Sequence, residues 1–142
     1  MLEDGSVYEG TARGDFKETA CEIVFNTSMT GYVEILTDPS YAGQGVVMTY
    51  PMIGNYGISR EDFESERLQP SAFIVHELSS DPSNFRCTDT IENLLKEYNI
   101  PCISGVDTRA VVKKLRESGT MRGVLTSDIG DRERLMDVIK SF

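Results

Sequence analysis

The spacing of apolar residues changes period about halfway along this 142-residue chain, and that change limits the folds open to it. In the first half they come in short runs of strand type: Val7–Ala12, Ala20–Phe25, Gly45–Tyr50 and Ala72–Val75. The last run is continuously apolar, as in a strand covered on both faces, and Pro51 stops the third because proline has no N–H for a ladder. From residue 91 the period becomes helical: Ile91, Leu94, Leu95 and Tyr98 fall at i, i+3, i+4 and i+7. Val111, Val112 and Leu115, then Leu135, Val138, Ile139 and Phe142, repeat that spacing, with strand-like stretches at Ile100–Ser104 and Met121–Thr126 between the helices. Strands first and then alternating helices and strands predict a layered α/β domain with about three helices in the C-terminal half.

Local signals sharpen the boundaries. Leu2–Gly5 reads as a turn, and a short helix from Gly31 to Leu36 ends at Asp38–Pro39, because a pre-proline residue avoids the helical region. Ser59–Arg67 reads as a solvated loop or a single helical turn. Asp89, with Glu92 three residues on, predicts the start of the second helix, and Pro101 follows its end. Asp107 and Gly119 bracket the third. Repeats, low-complexity tracts and linkers are lacking, so residues 1–142 are expected to form one domain. The last apolar stripe is still running at Phe142, as expected of a piece of a longer chain.

Charge excludes several functions. Fourteen Lys and Arg against 23 Asp and Glu give a net charge of -9, which repels nucleic acid and anionic membranes. No apolar run approaches the roughly 18 residues of a membrane span, and Met1-Leu2-Glu3-Asp4 is no signal peptide, so a cytoplasmic protein is expected. The three cysteines, Cys21, Cys87 and Cys102, are odd in number and widely spaced, with one histidine, His76, in the whole chain. That set suits reduced thiols better than a zinc site or a disulfide framework.

A self-sufficient catalytic constellation is not found. His76 follows an apolar run and reads as a strand-end residue; Cys21 and Cys102 read as small core residues. Cys87, after Arg86, is not set in a nucleophile elbow either. A phosphate-binding loop is missing, Gly43-Gln44-Gly45 reads as a turn or a close backbone approach, and Glu61, Asp62 and Glu64 as a solvated face. The densest polar stretch is Asn26–Tyr32 running into Thr37–Tyr41, with a second cluster at Pro51–Gly57. Such stretches make tight turns; they also offer a hydroxyl-lined rim to a ligand or partner, with Tyr41, Tyr50 and Tyr56 nearby. One expectation drawn from that rim is an autonomous binding module for a small ligand such as an amino acid.

The block Glu22-Ile-Val-Phe-Asn-Thr-Ser-Met-Thr-Gly-Tyr-Val-Glu-Ile-Leu-Thr-Asp-Pro-Ser-Tyr41 resembles the N-terminal domain of the small, glutamine amidotransferase subunit of carbamoyl-phosphate synthetase. Thr49–Gly57, Gly105-Val-Asp-Thr-Arg109, Met121-Arg-Gly123 and Leu2–Gly5 extend the resemblance from about Leu2 to Thr126. The resemblance implies a layered β/β/α domain of the swivelling type, non-catalytic in itself, packed on an amidotransferase domain of the same subunit and on a large subunit. In such an enzyme glutamine is hydrolysed on the amidotransferase domain, which carries the Cys nucleophile, and ammonia passes to the large subunit. There ATP and Mg2+ serve carbamoyl phosphate synthesis for arginine and pyrimidines; no catalytic residue, metal or cofactor is expected on this chain. The resemblance also places Ser40 of Asp38-Pro39-Ser40 at the glutamine site; Arg109 reads as part of the first helical turn after the Asp107 cap, though if exposed it would be free to reach a partner's carboxylate instead. The chain departs from the family in its short start before Leu2, in Val33 where glutamine is common, and in Gly45 where a β-branched residue is common. A glycine there is expected to weaken its strand.

Overall fold

Along the central strands successive side chains point to opposite faces, and each face meets its own helices. A computed structural model describes residues 1–28, 32–49, 52–53, 67–78 and 91–142. In chain order the elements are β1 (Thr11–Gly14), β2 (Thr19–Asn26), α1 (Tyr32–Thr37), a 3-10 turn (Pro39–Tyr41), β3 (Gln44–Met48), β4 (Met52–Ile53), β5 (Ala72–Ile74), β6 (Glu77–Leu78), α2 (Ile91–Glu97), β7 (Pro101–Ser104), α3 (Thr108–Ser118), β8 (Met121–Leu125) and α4 (Arg132–Ser141). Six strands form one mixed sheet in the order β1-β7-β5-β3-β2-β8. The inner four run parallel, while β1 and β8 pair antiparallel at the edges. A short parallel ladder of β4 and β6 stands apart from it.

Parallel neighbours need a crossover, and α1 supplies one between β2 and β3, α2 another between β5 and β7. Both helices cover one face, where Val46, Met48, Phe73, Val75 and Cys102 meet Tyr32, Leu36, Leu94 and Leu95. On the other face Cys21, Ile23, Val47, Ala72 and Ile74 meet Val111, Val112 and Leu115 of α3. α4 sits at the β8 edge, with Leu135 and Ile139 on Val124. Phe73 is fully buried, so its truncation to Ala would cost about 3–5 kcal/mol.

Caps fix the helix ends. Asp107 accepts from the Ala110 N–H at 3.2 Å, Asp131 accepts from the Arg134 N–H at 3.0 Å, and Gly119 takes φ +78° after α3. α2 ends with Asn99 in the left-handed region, at φ 59°, while the Ile100 N–H reaches back to the Leu95 carbonyl at 2.8 Å.

The α/β class and the three C-terminal helices agree with the sequence. The opening strand differs: Val7–Gly10 carries no regular structure, and pairing begins at Thr11 opposite Ser104. A Cβ on Gly10 would collide with the Ser104 carbonyl oxygen, and Tyr8 packs on the second core. Asp89 and residues 59–66 of the expected loop lie outside the described residues. Among the described residues no helix is long and apolar enough to cross a membrane.

Candidate functional site

Ser40 stands in the 3-10 turn that Pro39 opens. Asp38 is extended at φ -74° and ψ 119°, which ends α1, and its carboxylate accepts from the Ser40 N–H at 2.9 Å. Ser40 itself is exposed. The next residue anchors the turn: the Asn26 amide nitrogen donates to the Tyr41 hydroxyl at 3.0 Å. Asn26 also accepts from the Ser28 N–H at 2.8 Å through its side chain and from the Thr49 N–H at 3.2 Å through its carbonyl. Among the described residues of the polar stretch, the Asn26 and Asp38 side chains hold the backbone and the Tyr41 hydroxyl, and Ser40 is a presented hydroxyl.

Neither described cysteine is available as a nucleophile. Cys21 and Cys102 are fully buried, and burial pushes each thiol up to about 12. The Glu92 charge adds to the effect at Cys102 and Arg13 opposes it. Neither forms a thiolate at neutral pH. His76 faces the Val106 carbonyl with Nδ1 at 3.2 Å. No grouping of three or more His, Cys, Asp or Glu suited to a metal occurs among the described residues. Cys87, Tyr50 and Tyr56 lie outside them.

Arg109 occupies the first turn of α3, exposed, on the face opposite the Ser40 turn, so the structure does not bring these two residues together. It does place Arg109 with Lys113 and Arg116 along a groove of about 400 Å³, facing Thr27 and Thr49 at the ends of β2 and β3. The Arg116 guanidinium lies 5.4 Å from the centre of the Phe25 ring. Sequence reasoning singled out Arg109 alone. The i, i+4, i+7 spacing of the three cations was visible, but their opposing wall comes from residues some 60–90 positions away.

Similarity to known proteins covers the whole chain. The carbamoyl phosphate synthase small chain of Caldanaerobacter subterraneus subsp. tengcongensis is 55% identical over 125 residues, 88% of this chain and 35% of the relative. That of Clostridium perfringens is 49% identical over 142 residues, 100% of this chain and 41% of the relative. That of Archaeoglobus fulgidus is 52% identical over 135 residues, 95% and 38% respectively. The chain therefore spans well under half the length of these relatives. Residues 1–125 match the family described as the carbamoyl-phosphate synthase small chain, CPSase domain. With that match running from the β8 edge at Met1 to the end of β8 itself, the chain belongs to the carbamoyl-phosphate synthase small-chain family, as its CPSase domain.

Proposed function

We propose that the chain is the non-catalytic N-terminal domain of a glutamine-hydrolysing carbamoyl-phosphate synthase small chain, working in the cytoplasm. It packs on an amidotransferase domain and a large subunit, lends Ser40 to the glutamine site, and helps wall the path of ammonia. ATP and magnesium act, in this reading, on the large subunit. One observation carries it: over a family match of 125 residues, both described cysteines are sealed in the core while Ser40 is presented on an anchored turn. A single hydroxyl cannot offset the several kcal/mol lost on immobilising a small ligand, so glutamine needs a second wall.

The test is ammonia release from glutamine. The 142-residue chain alone is expected to release none, and adding the amidotransferase polypeptide and the large subunit is expected to yield carbamoyl phosphate. Hydrolysis by the pure chain overturns the reading, and so does tight glutamine binding by the chain alone, which would make it an independent amino-acid binding module.

A further inference from the structure

We infer, on the reading that Ser40 lines the glutamine site, that Asn26 and Tyr41 are positioning residues for that site: their hydrogen bond sets where the Ser40 hydroxyl stands. Pro39, Ser40, Ala42 and Gly43 are exposed, so the 3-10 turn projects from the fold. Its internal bonds run from the Tyr41 N–H to the Asp38 carbonyl and from the Ala42 N–H to the Pro39 carbonyl, both at 3.1 Å. Like the Asp38 carboxylate on the Ser40 N–H, they give the turn its shape without attaching it to the sheet. Upstream, the Asp38 N–H reaches the Ile35 carbonyl at 3.3 Å, so α1 holds that end. Downstream, Gly43 takes φ +80°, and a Cβ there would meet nothing within 4 Å, which makes a permissive joint before β3. Tyr41 holds the downstream end instead. Its ring packs on the first core cluster and its hydroxyl meets Asn26.

Both ends of the Asn26 amide are committed. Oδ1 accepts from the Ser28 N–H at 2.8 Å, which leaves Nδ2 as the donor and fixes the amide's orientation. Nδ2 then donates to the Tyr41 hydroxyl at 3.0 Å. The Asn26 backbone is itself part of the sheet: it stands opposite Met48 in the β2–β3 ladder, and its carbonyl accepts from the Thr49 N–H. One side chain thus refers the Ser40 turn to the central sheet. A binding group has to be held to within about 0.5 Å, and a projecting turn with a glycine joint does not do this unaided. Ordering the turn in advance also spares glutamine that cost on binding. Loss of the bond therefore weakens glutamine binding and spares the chemistry, which in this reading takes place on the amidotransferase domain.

The test is a double-mutant cycle in the assembled synthase, with four small chains: wild type, Ser40→Ala, Tyr41→Phe and the double variant. Glutamine KM and kcat are read from carbamoyl phosphate formation. Tyr41→Phe keeps the packed ring, and is expected to raise KM about threefold to tenfold with kcat within about twofold. In the Ser40→Ala background the same change is expected to move KM by less than about 1.5-fold, because the hydroxyl it positions is gone. Asn26→Ala is expected to repeat both results, and carries the test if Tyr41→Phe does not assemble. An unchanged KM in Tyr41→Phe beside a raised KM in Ser40→Ala overturns this inference and leaves Ser40 at the glutamine site. KM rises that multiply in the double variant overturn it as well, since Tyr41 would then act independently of Ser40. An unchanged KM in Ser40→Ala removes Ser40 from the glutamine site, and the positioning role falls with it.

Discussion

The Asn26 amide and the Tyr41 hydroxyl, 3.0 Å apart, join the end of β2 to the turn that carries Ser40. The bond ties together two residues fifteen positions apart. Tyr41→Phe removes it while keeping the ring, which packs on the first core cluster, and is expected to cost about 1 kcal/mol. Asn26→Ala is expected to cost more, because the Ser28 N–H loses its acceptor as well. The double variant should be no worse than Asn26→Ala alone. Urea titrations check this through the unfolding midpoint, and strictly additive losses would show that the two groups do not bond.

Ser40→Ala separates stability from function. The side chain is exposed, and the turn is held by the Ser40 backbone N–H on Asp38, which alanine keeps. Stability is expected to change by less than about 0.5 kcal/mol. In the assembled synthase the glutamine KM should rise; an unchanged KM removes Ser40 from the glutamine site.

The central sheet was readable because burial on both faces leaves an unbroken mark, as in Ala72–Val75, and the caps at Asp107 and Gly119 were readable because they act within three or four residues. The opening strand was not. Val7-Tyr8-Glu9 alternates as a strand should, but pairing begins only at Thr11, opposite Ser104 on a strand some 90 positions further along the chain. The same distinction runs through the site. The Asp38 turn is local and legible, whereas the Asn26–Tyr41 tie and the groove beside α3 form only when β2, β3 and α3 are brought together.

Glu18 gives the fold a specific acid response. Its two carboxylate oxygens accept from Arg134 at 2.8 and 2.9 Å and one also accepts from Thr126 at 2.9 Å. These bonds, the Arg134 pair foremost, hold the carboxyl at about 2. A group depressed in the folded state stabilises it above the ordinary carboxylate value of 4.5 and loses that contribution as pH falls toward 2. Both side chains are over a third exposed, at 37% and 46%, so solvent screens the pair. Glu18→Gln should therefore lower Tm at pH 7 by no more than about 2–3 °C. The gap should close across this acid window, and a gap independent of pH would rule the ion pair out as its source.

Gly45 lies in the middle of the sheet, and the structure shows why a side chain is absent there. Its partner on β2 is Ile23. A Cβ on Gly45 would stand 2.7 Å from the Cys21 sulfur and 2.9 Å from Ile23 Cδ1, both in buried residues. The sequence expectation was that glycine weakens this strand, and alanine does hold an intrinsic advantage of about 0.5–1 kcal/mol. Overpacking outweighs it, since a rigid core answers an added methyl with a loss of about 1–3 kcal/mol. Gly45→Ala is thus expected to be destabilising. Cys21→Ala removes the sulfur that the new methyl would strike, so the pair Gly45→Ala with Cys21→Ala should cost less than the sum of the single changes, by about 1 kcal/mol. Unfolding free energies of the four proteins decide it: a stabilising Gly45→Ala, or strict additivity with Cys21→Ala, would mean that Cys21 does not occupy the space beside Gly45.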